Sequence, residues 1–332
     1  MGTIYAACGV RSVFNSFFSG KSVLGRTVLA ALFLAVPAVS AGIGFRAKAP
    51  VSRPVKSGAA ETLKEVKAEE SKGGDLNLGG DAPAKDIRLT VFAAASLTET
   101  LSKIGKSYEK NHPGVRVVFS FDSSGTLKTQ IAEGAQSDVF ISASPKQMDA
   151  LDITAGPEKN PKGLDYVAAD TRFNLLENKV VLAVPEGNKK NLRSFDDLAA
   201  ALREHTVFLA IGNSDVPAGQ YTLKIFDYYK LDMKDMYAHK SLTLGSNVKE
   251  VTSQVSEGVV DAGIVYATDA HSAGLAVAGT ATREMAGQVI YPAAALKNSK
   301  NPEEARAFLN YLKTPESGKV FESVGFTVIN KP

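Results

Sequence analysis

The sequence predicts a two-lobed α/β protein, each lobe a mostly parallel sheet flanked by helices, with a ligand held in the cleft between them. Three observations carry this. Short β-rich runs alternate with segments whose apolar residues recur at helical spacing. The alternation starts twice, near Ile87 and near Lys179, so two halves are expected. A late apolar run at 288–296 (QVIYPAAAL) brings the chain back after the second half has closed, which suits lobes joined by crossing strands.

In order, residues 87–93 (IRLTVFA) read as a strand. Leu97, Leu101, Ile104 and Tyr108 then mark a helix over 96–111. Residues 115–121 (VRVVFSF) are a second strand, followed by a helix marked by Leu127 and Ile131 that ends at Gly134. Residues 139–142 (VFIS) form a third strand, with a helix from about Pro145. This βαβαβ order predicts parallel strands with right-handed crossovers. The second series opens with a strand at 179–184 and continues with a helix at 194–205 and a strand at 207–211. Helices from Pro217 and at 247–257 precede a strand at 262–267. Two closing helices each open on a cap followed by proline, Asn301-Pro302 and Thr314-Pro315. The expected division is 86–176 plus 288–332 for the first lobe and 177–287 for the second.

Ahead of the lobes lies a targeting segment. No acid occurs before Glu61. Arg11, Lys21 and Arg26 precede the apolar run 27–45, and Val39-Ser40-Ala41 offers the small residues of a cleavage site before Gly42. Residues 1–45 are therefore read as a signal peptide or, since the run is long enough for a tilted span, a membrane anchor. Ala6-Ala7-Cys8 follows no apolar run and is not read as a lipoprotein signal. Residues 46–85, with Pro50, Pro54, Pro83 and paired glycines, are expected to be a disordered linker.

Composition narrows the function. The net charge is +3 over 332 residues, with no basic stripe, so nucleic acid is not an expected partner. The single cysteine, Cys8, lies outside the expected lobes. His112, His205, His239 and His271 lack metal-ligand spacing in the sequence, so no zinc site is expected. A G-x-S-x-G elbow does not occur, and Gly20-Lys21-Ser22 and Gly105-Lys106-Ser107 lack the upstream glycine of a phosphate loop. An enzyme is not expected, and no catalytic residue is assigned.

The chemistry concentrates at strand-to-helix turns. Four are rich in small or hydroxyl residues: 93–97 (AAASL), 122–126 (DSSGT), 215–219 (DVPAG) and 245–248 (GSNV). Helix starts expose unpaired N–H groups and the positive end of a dipole, and several aimed at one cavity bind an anion without Lys or Arg. Singly, each is an ordinary cap; Ser96 with Glu99 even spells a capping box. Jointly, they lie at the same ends of strands in both halves. Tyr266, which ends the strand after Gly263-Ile264-Val265, reads as a core residue unless the lobes close on it.

These residues resemble a known family. Leu89-Thr90-Val91-Phe92-Ala93-Ala94-Ala95-Ser96-Leu97, Ser137-Asp138-Val139-Phe140-Ile141-Ser142-Ala143, Val216-Pro217-Ala218-Gly219, Gly263-Ile264-Val265-Tyr266 and Gly325-Phe326 are, in that order, similar to the periplasmic molybdate-binding proteins of ABC transporters. The resemblance runs from about Ile87 to Ile329. It implies a type II periplasmic binding protein fold closing on molybdate or tungstate. Ser96 and Ser124 would supply hydroxyl and N–H, Ala218 and Val248 backbone N–H, and Tyr266 its phenol. Molybdenum would be present only as that oxyanion, with no cofactor. It also implies an extracytoplasmic, periplasmic location and an ABC permease with its ATPase as partners; a monomer is expected. Two positions depart from the family pattern. Asp122 stands where a small residue is common and is expected to point outward, and Gly125 replaces a third small hydroxyl residue. A membrane-tethered oxyanion sensor, or a binder of another tetrahedral oxyanion such as sulfate, remain the alternatives.

Overall fold

The computed structural model describes residues 86–329. The leader and linker expected at 1–85 lie outside these residues. In chain order the strands are β1 (Ile87–Ala94), β2 (Val115–Asp122), β3 (Val139–Ile141), β4 (Phe173–Asn178), β5 (Val180–Val184) and β6 (Leu209–Gly212). They continue with β7 (Leu242–Gly245), β8 (Ala262–Tyr266), β9 (Ala276–Thr280), β10 (Val289–Ala295) and β11 (Thr327–Val328). The helices are α1 (Thr98–Asn111), α2 (Ser124–Ala132), α3 (Pro145–Asp149), α4 (Phe195–Arg203), α5 (Pro217–Tyr228) and α6 (Met233–Ala238). After them come α7 (Val248–Ser256), α8 (Ala267–Ser272), α9 (Arg283–Ala286), α10 (Pro302–Tyr311) and α11 (Pro315–Glu322).

Two sheets result. The first has the order β11-β4-β10-β3-β1-β2, the second β7-β6-β8-β5-β9. Each has a parallel side, β2-β1-β3 in the first and β7-β6-β8 in the second. Antiparallel strands complete each sheet: β10, β4 and β11 in one, β5 and β9 in the other. The expectation that 179–184 opens a parallel series is corrected, because β5 runs antiparallel to β8. Only Lys179 separates β4 from β5, so the chain passes directly from one sheet into the other.

The inner parallel strands bury both faces: Leu89, Val91 and Ala93 of β1 point one way and buried Phe92 the other, and Leu209 and Ala210 of β6 are enclosed on opposite sides, whereas the edge strands β2 and β7 are only partly covered. Helix α1 turns Leu101, Ile104, Gly105 and Tyr108 inward at the i, i+3, i+4, i+7 spacing of a single face. The Tyr108 ring meets Phe308 of α10 edge-on at 5.0 Å between centroids, which fastens a C-terminal helix to the first sheet. Strands β1 and β2 end level, Ala94 opposite Asp122, and β6 and β7 end level, Gly212 opposite Gly245. All four turns singled out in the sequence follow these ends.

Candidate functional site

The first turn is a short 3-10 segment, Ala95–Leu97, ahead of α1. Ser96 does not cap α1: the N-cap is Leu97, without a side-chain bond. The expected capping box is therefore absent. The extra turn carries Ser96 inward, where its Oγ lies 2.9 Å from Tyr291 Oη, while Glu99 reaches Lys249. Asn178 Nδ2 donates to the same Tyr291 Oη at 3.3 Å and to Thr268 Oγ1 at 2.9 Å. With Asn178 donating to Tyr291 and Tyr291 donating to Ser96, the Ser96 proton remains to donate onward.

At the second turn Ser123 is the N-cap of α2 and its Oγ accepts from the Thr126 amide at 3.0 Å. The Gly125 amide donates to Asp215 O at 3.1 Å. Of this first turn, the Ser124 amide is left without a capping partner. The buried Ser124 Oγ accepts from the Ala143 amide at 2.9 Å, so its own proton is also available. Half-buried Asp122 folds back, its Oδ1 accepting from the Ser123 amide at 2.7 Å.

In the other lobe the same accounting holds. Asn247 caps α7 by accepting from the Lys249 and Glu250 amides at 3.0 and 3.1 Å, leaving that of Val248. Helix α5 has no side-chain cap and begins with Pro217, which has no N–H, so Ala218 presents an early amide of that helix. Gly219 lets α5 seat on β6: a Cβ there would stand 2.2 Å from Gly212 O.

Contacts between the lobes bring the turns together. Beyond the Gly125–Asp215 bond, α7 packs on the 95–97 turn. Lys249 Nζ lies 2.9 Å from Glu99 in the first lobe and 3.2 Å from buried Asp269 in the second. This cation is thus committed to two carboxylates. Burial pushes the Asp269 carboxyl up to about 6, against the pull of Lys249.

Tyr266 closes the arrangement. It is buried, with its ring 5.8 Å from that of Tyr291 and 6.3 Å from that of Tyr221. Burial, and then its neighbours Tyr291, Tyr221 and Asp269, hold the phenol far above its ordinary range, so it stays protonated. Its Oη makes no well-formed hydrogen bond among the described residues. Tyr291 Oη, by contrast, is held by Ser96 and Asn178.

The sequence reading did not single out Tyr291, Asn178, Lys249 or Asp269. Tyr291 lies inside an apolar run that reads as core. Asn178 ends β4 (FNLLEN), a strand too polar to be recognised by its pattern.

Two α/β lobes meeting at such a junction are shared with known proteins. Residues 89–327 match the family model described as bacterial extracellular solute-binding protein. The chain belongs to this family. Among curated relatives, the molybdate-binding protein ModA of Haemophilus influenzae is 34% identical over 250 residues, covering 74% of this chain and 91% of its own. ModA of Escherichia coli K12 is 35% identical over 257 residues, covering 76% and 93%. The periplasmic molybdate-binding protein of Azotobacter vinelandii superposes with a TM-score of 0.61 at 22% identity, covering 73% of this chain and 99% of its own. The sulfate-binding protein SubI of Mycobacterium tuberculosis does so with 0.58 at 19%, covering 74% and 88%. The last two speak to the fold alone, that of type II periplasmic binding proteins. The chain is accordingly the solute-binding component of an ABC transporter and not an enzyme.

Proposed function

We propose that this protein captures molybdate, and tungstate by the same chemistry, for an ABC importer. Ser96, Ser124, Ala218, Val248 and Tyr266 would hold the anion. The observation that carries the reading is Tyr266 Oη, a buried, protonated donor that makes no well-formed hydrogen bond among the described residues, its ring packed near that of Tyr291, whose hydroxyl meets Ser96. Relatives named for molybdate binding, 34 and 35% identical, support it. The donors are neutral, and Lys249 is already paired with Glu99 and Asp269. Helix starts bind such anions through N–H groups and dipole. A pocket of donors leaves the O–H of hydrogen phosphate without an acceptor and disfavours it. Sulfate shares the charge and shape of molybdate, and only the size of the closed site separates the two.

Export by residues 1–45 would place the lobes outside the cytoplasmic membrane, free or tethered. The closed form would then deliver its anion to a permease driven by a separate ATPase. A mature chain beginning at Gly42 would count against the tethered sensor. Titration calorimetry of the protein with molybdate, tungstate, sulfate and phosphate tests the ligand. Tight binding of the first two alone is expected. Equal binding of sulfate would overturn the assignment.

A further inference from the structure

The second lobe carries a cluster at the pole opposite the cleft. Strands β6 and β7 run parallel and send their carboxyl ends to the cleft turns. At their other ends the chain arrives from His205 and from His239. His205 follows the last turn of α4 in a left-handed conformation, φ 54°. His239 is the C-cap of α6, one turn beyond Asp235 on the same face. Folding, not sequence spacing, brings these residues within reach of one another.

We propose that His205, Asp235 and His239 form a site for a divalent transition-metal ion. His205 Nε2 lies 3.4 Å from Asp235 Oδ2, and His239 Nδ1 lies 3.2 Å from Asp235 Oδ1. One potential ligand atom from each residue falls within 4.8 Å of the others. In a tetrahedral site with bonds of roughly 2.0–2.1 Å, ligand atoms sit about 3.3 Å apart, so the cluster is already close to the required size. The Asp-x-x-x-His pair uses the i, i+4 face of a helix, the spacing by which helices chelate ions. The His239 Nδ1 also meets the Asp235 carbonyl at 3.0 Å. An ion bound through Nδ1 takes the place of that contact, and the ring then carries its proton on Nε2. His205 has no competing structural task, since its Nδ1 is buried without a partner and its Nε2 faces only the carboxylate. The two rings stack at 3.6 Å between centroids. Half-exposed His239 must therefore turn about its Cβ–Cγ bond to bring a nitrogen into line with the ion. Two imidazoles and one carboxylate, with positions open to water, select borderline ions such as Zn²⁺ or Co²⁺ over Mg²⁺ or Ca²⁺.

The test is titration of the full chain, in a Cys8→Ser background so that no thiol competes, with Zn²⁺ alone and Co²⁺ alone. One ion per chain is expected, with a visible Co²⁺ absorption band of low-symmetry coordination. His239→Asn and Asp235→Ala should each weaken Zn²⁺ binding by at least about tenfold, with far-UV circular dichroism melts confirming that both variants fold. Absence of saturable binding, or binding unchanged in a His205→Ala/His239→Asn double variant, would overturn the site. Neither result bears on the oxyanion cleft, which shares no residue with this cluster.

Discussion

At the residue scale, Tyr266 and Ser124 make opposite predictions for substitutions of similar size. Tyr266 Oη makes no well-formed hydrogen bond among the described residues, and a buried polar group in that state costs about 1–3 kcal/mol of stability. Tyr266→Phe should therefore leave the ligand-free melting temperature unchanged or higher. It should weaken molybdate binding by about 1.5–3 kcal/mol, the range for a hydrogen bond to a charged group. Ser124→Ala should lower both, because the Ala143 amide loses its acceptor. Melting and calorimetry on the two variants check this; equal stability losses would remove the distinction. Asp269 adds a pH signature. Its folded pKa of about 6 stands above the ordinary aspartate value near 3.8, so the folded state holds the proton more tightly. The contribution of this group to stability is fully present below about pH 4 and lost as pH rises through about 6. The melting temperature of Asp269→Asn relative to the native chain should accordingly rise between those limits, and a constant difference would contradict the assignment. The capping box expected at Ser96 and Glu99 illustrates what sequence reading misses at this scale. Both residues have the right type and spacing, but a 3-10 turn hands them to distant partners, Tyr291 and Lys249.

At the scale of elements, the helix starts were legible because small, hydroxyl and proline residues cluster where strands end. Asp215-Val216-Pro217-Ala218-Gly219 is the clearest instance. Proline fixes the first turn of α5, and Gly219 lets that turn approach the Gly212 carbonyl. Gly219→Ala would set a Cβ 2.2 Å from that oxygen, so helix and strand must part. Overpacking of this kind costs about 1–3 kcal/mol, more than the roughly 1 kcal/mol that alanine returns in helix propensity. Chemical denaturation should register a net loss, and molybdate affinity should fall with it as the Ala218 amide is displaced; a stabilised variant would refute the packing argument. The elements that escaped notice are those with weak periodicity. Strand β4 mixes Asn174, Glu177 and Asn178 among its apolar residues, β7 has four residues, and α6 has six. Their places are set by neighbours, β10 for β4 and β6 for β7, which no local pattern encodes.

At the scale of the whole molecule, two α/β halves and their joining strands could be read from alternation and from the late return of the chain. How the halves meet could not. Gly125 looked like a lost hydroxyl, one donor fewer for the anion. The fold gives it another part: its amide bonds to Asp215 O across the cleft, and a Cβ would lie 2.1 Å from that carbonyl oxygen. Gly125→Ala should therefore hold the lobes apart. Small-angle scattering with saturating molybdate should report a larger radius of gyration than for the native chain, and affinity should drop about tenfold or more. A variant as compact as the native protein would exclude this role. Lys249, with Glu99 in one lobe and Asp269 in the other, makes the second link across the same gap. The Gly125 backbone bond and the Lys249 ion pairs thus join the lobes, with Ser123 Oγ also reaching the Asp215 carbonyl at 3.4 Å, and in the proposed site the anion would be left to neutral donors. The most direct test of that arrangement is a crystal grown with molybdate and measured at the molybdenum absorption edge. A single anomalous peak is predicted, its oxygens within hydrogen-bonding distance of the Ser96, Ser124 and Tyr266 hydroxyls and the Ala218 and Val248 amides. A peak bound instead through lysine or arginine side chains, or lying outside the cleft, would contradict it.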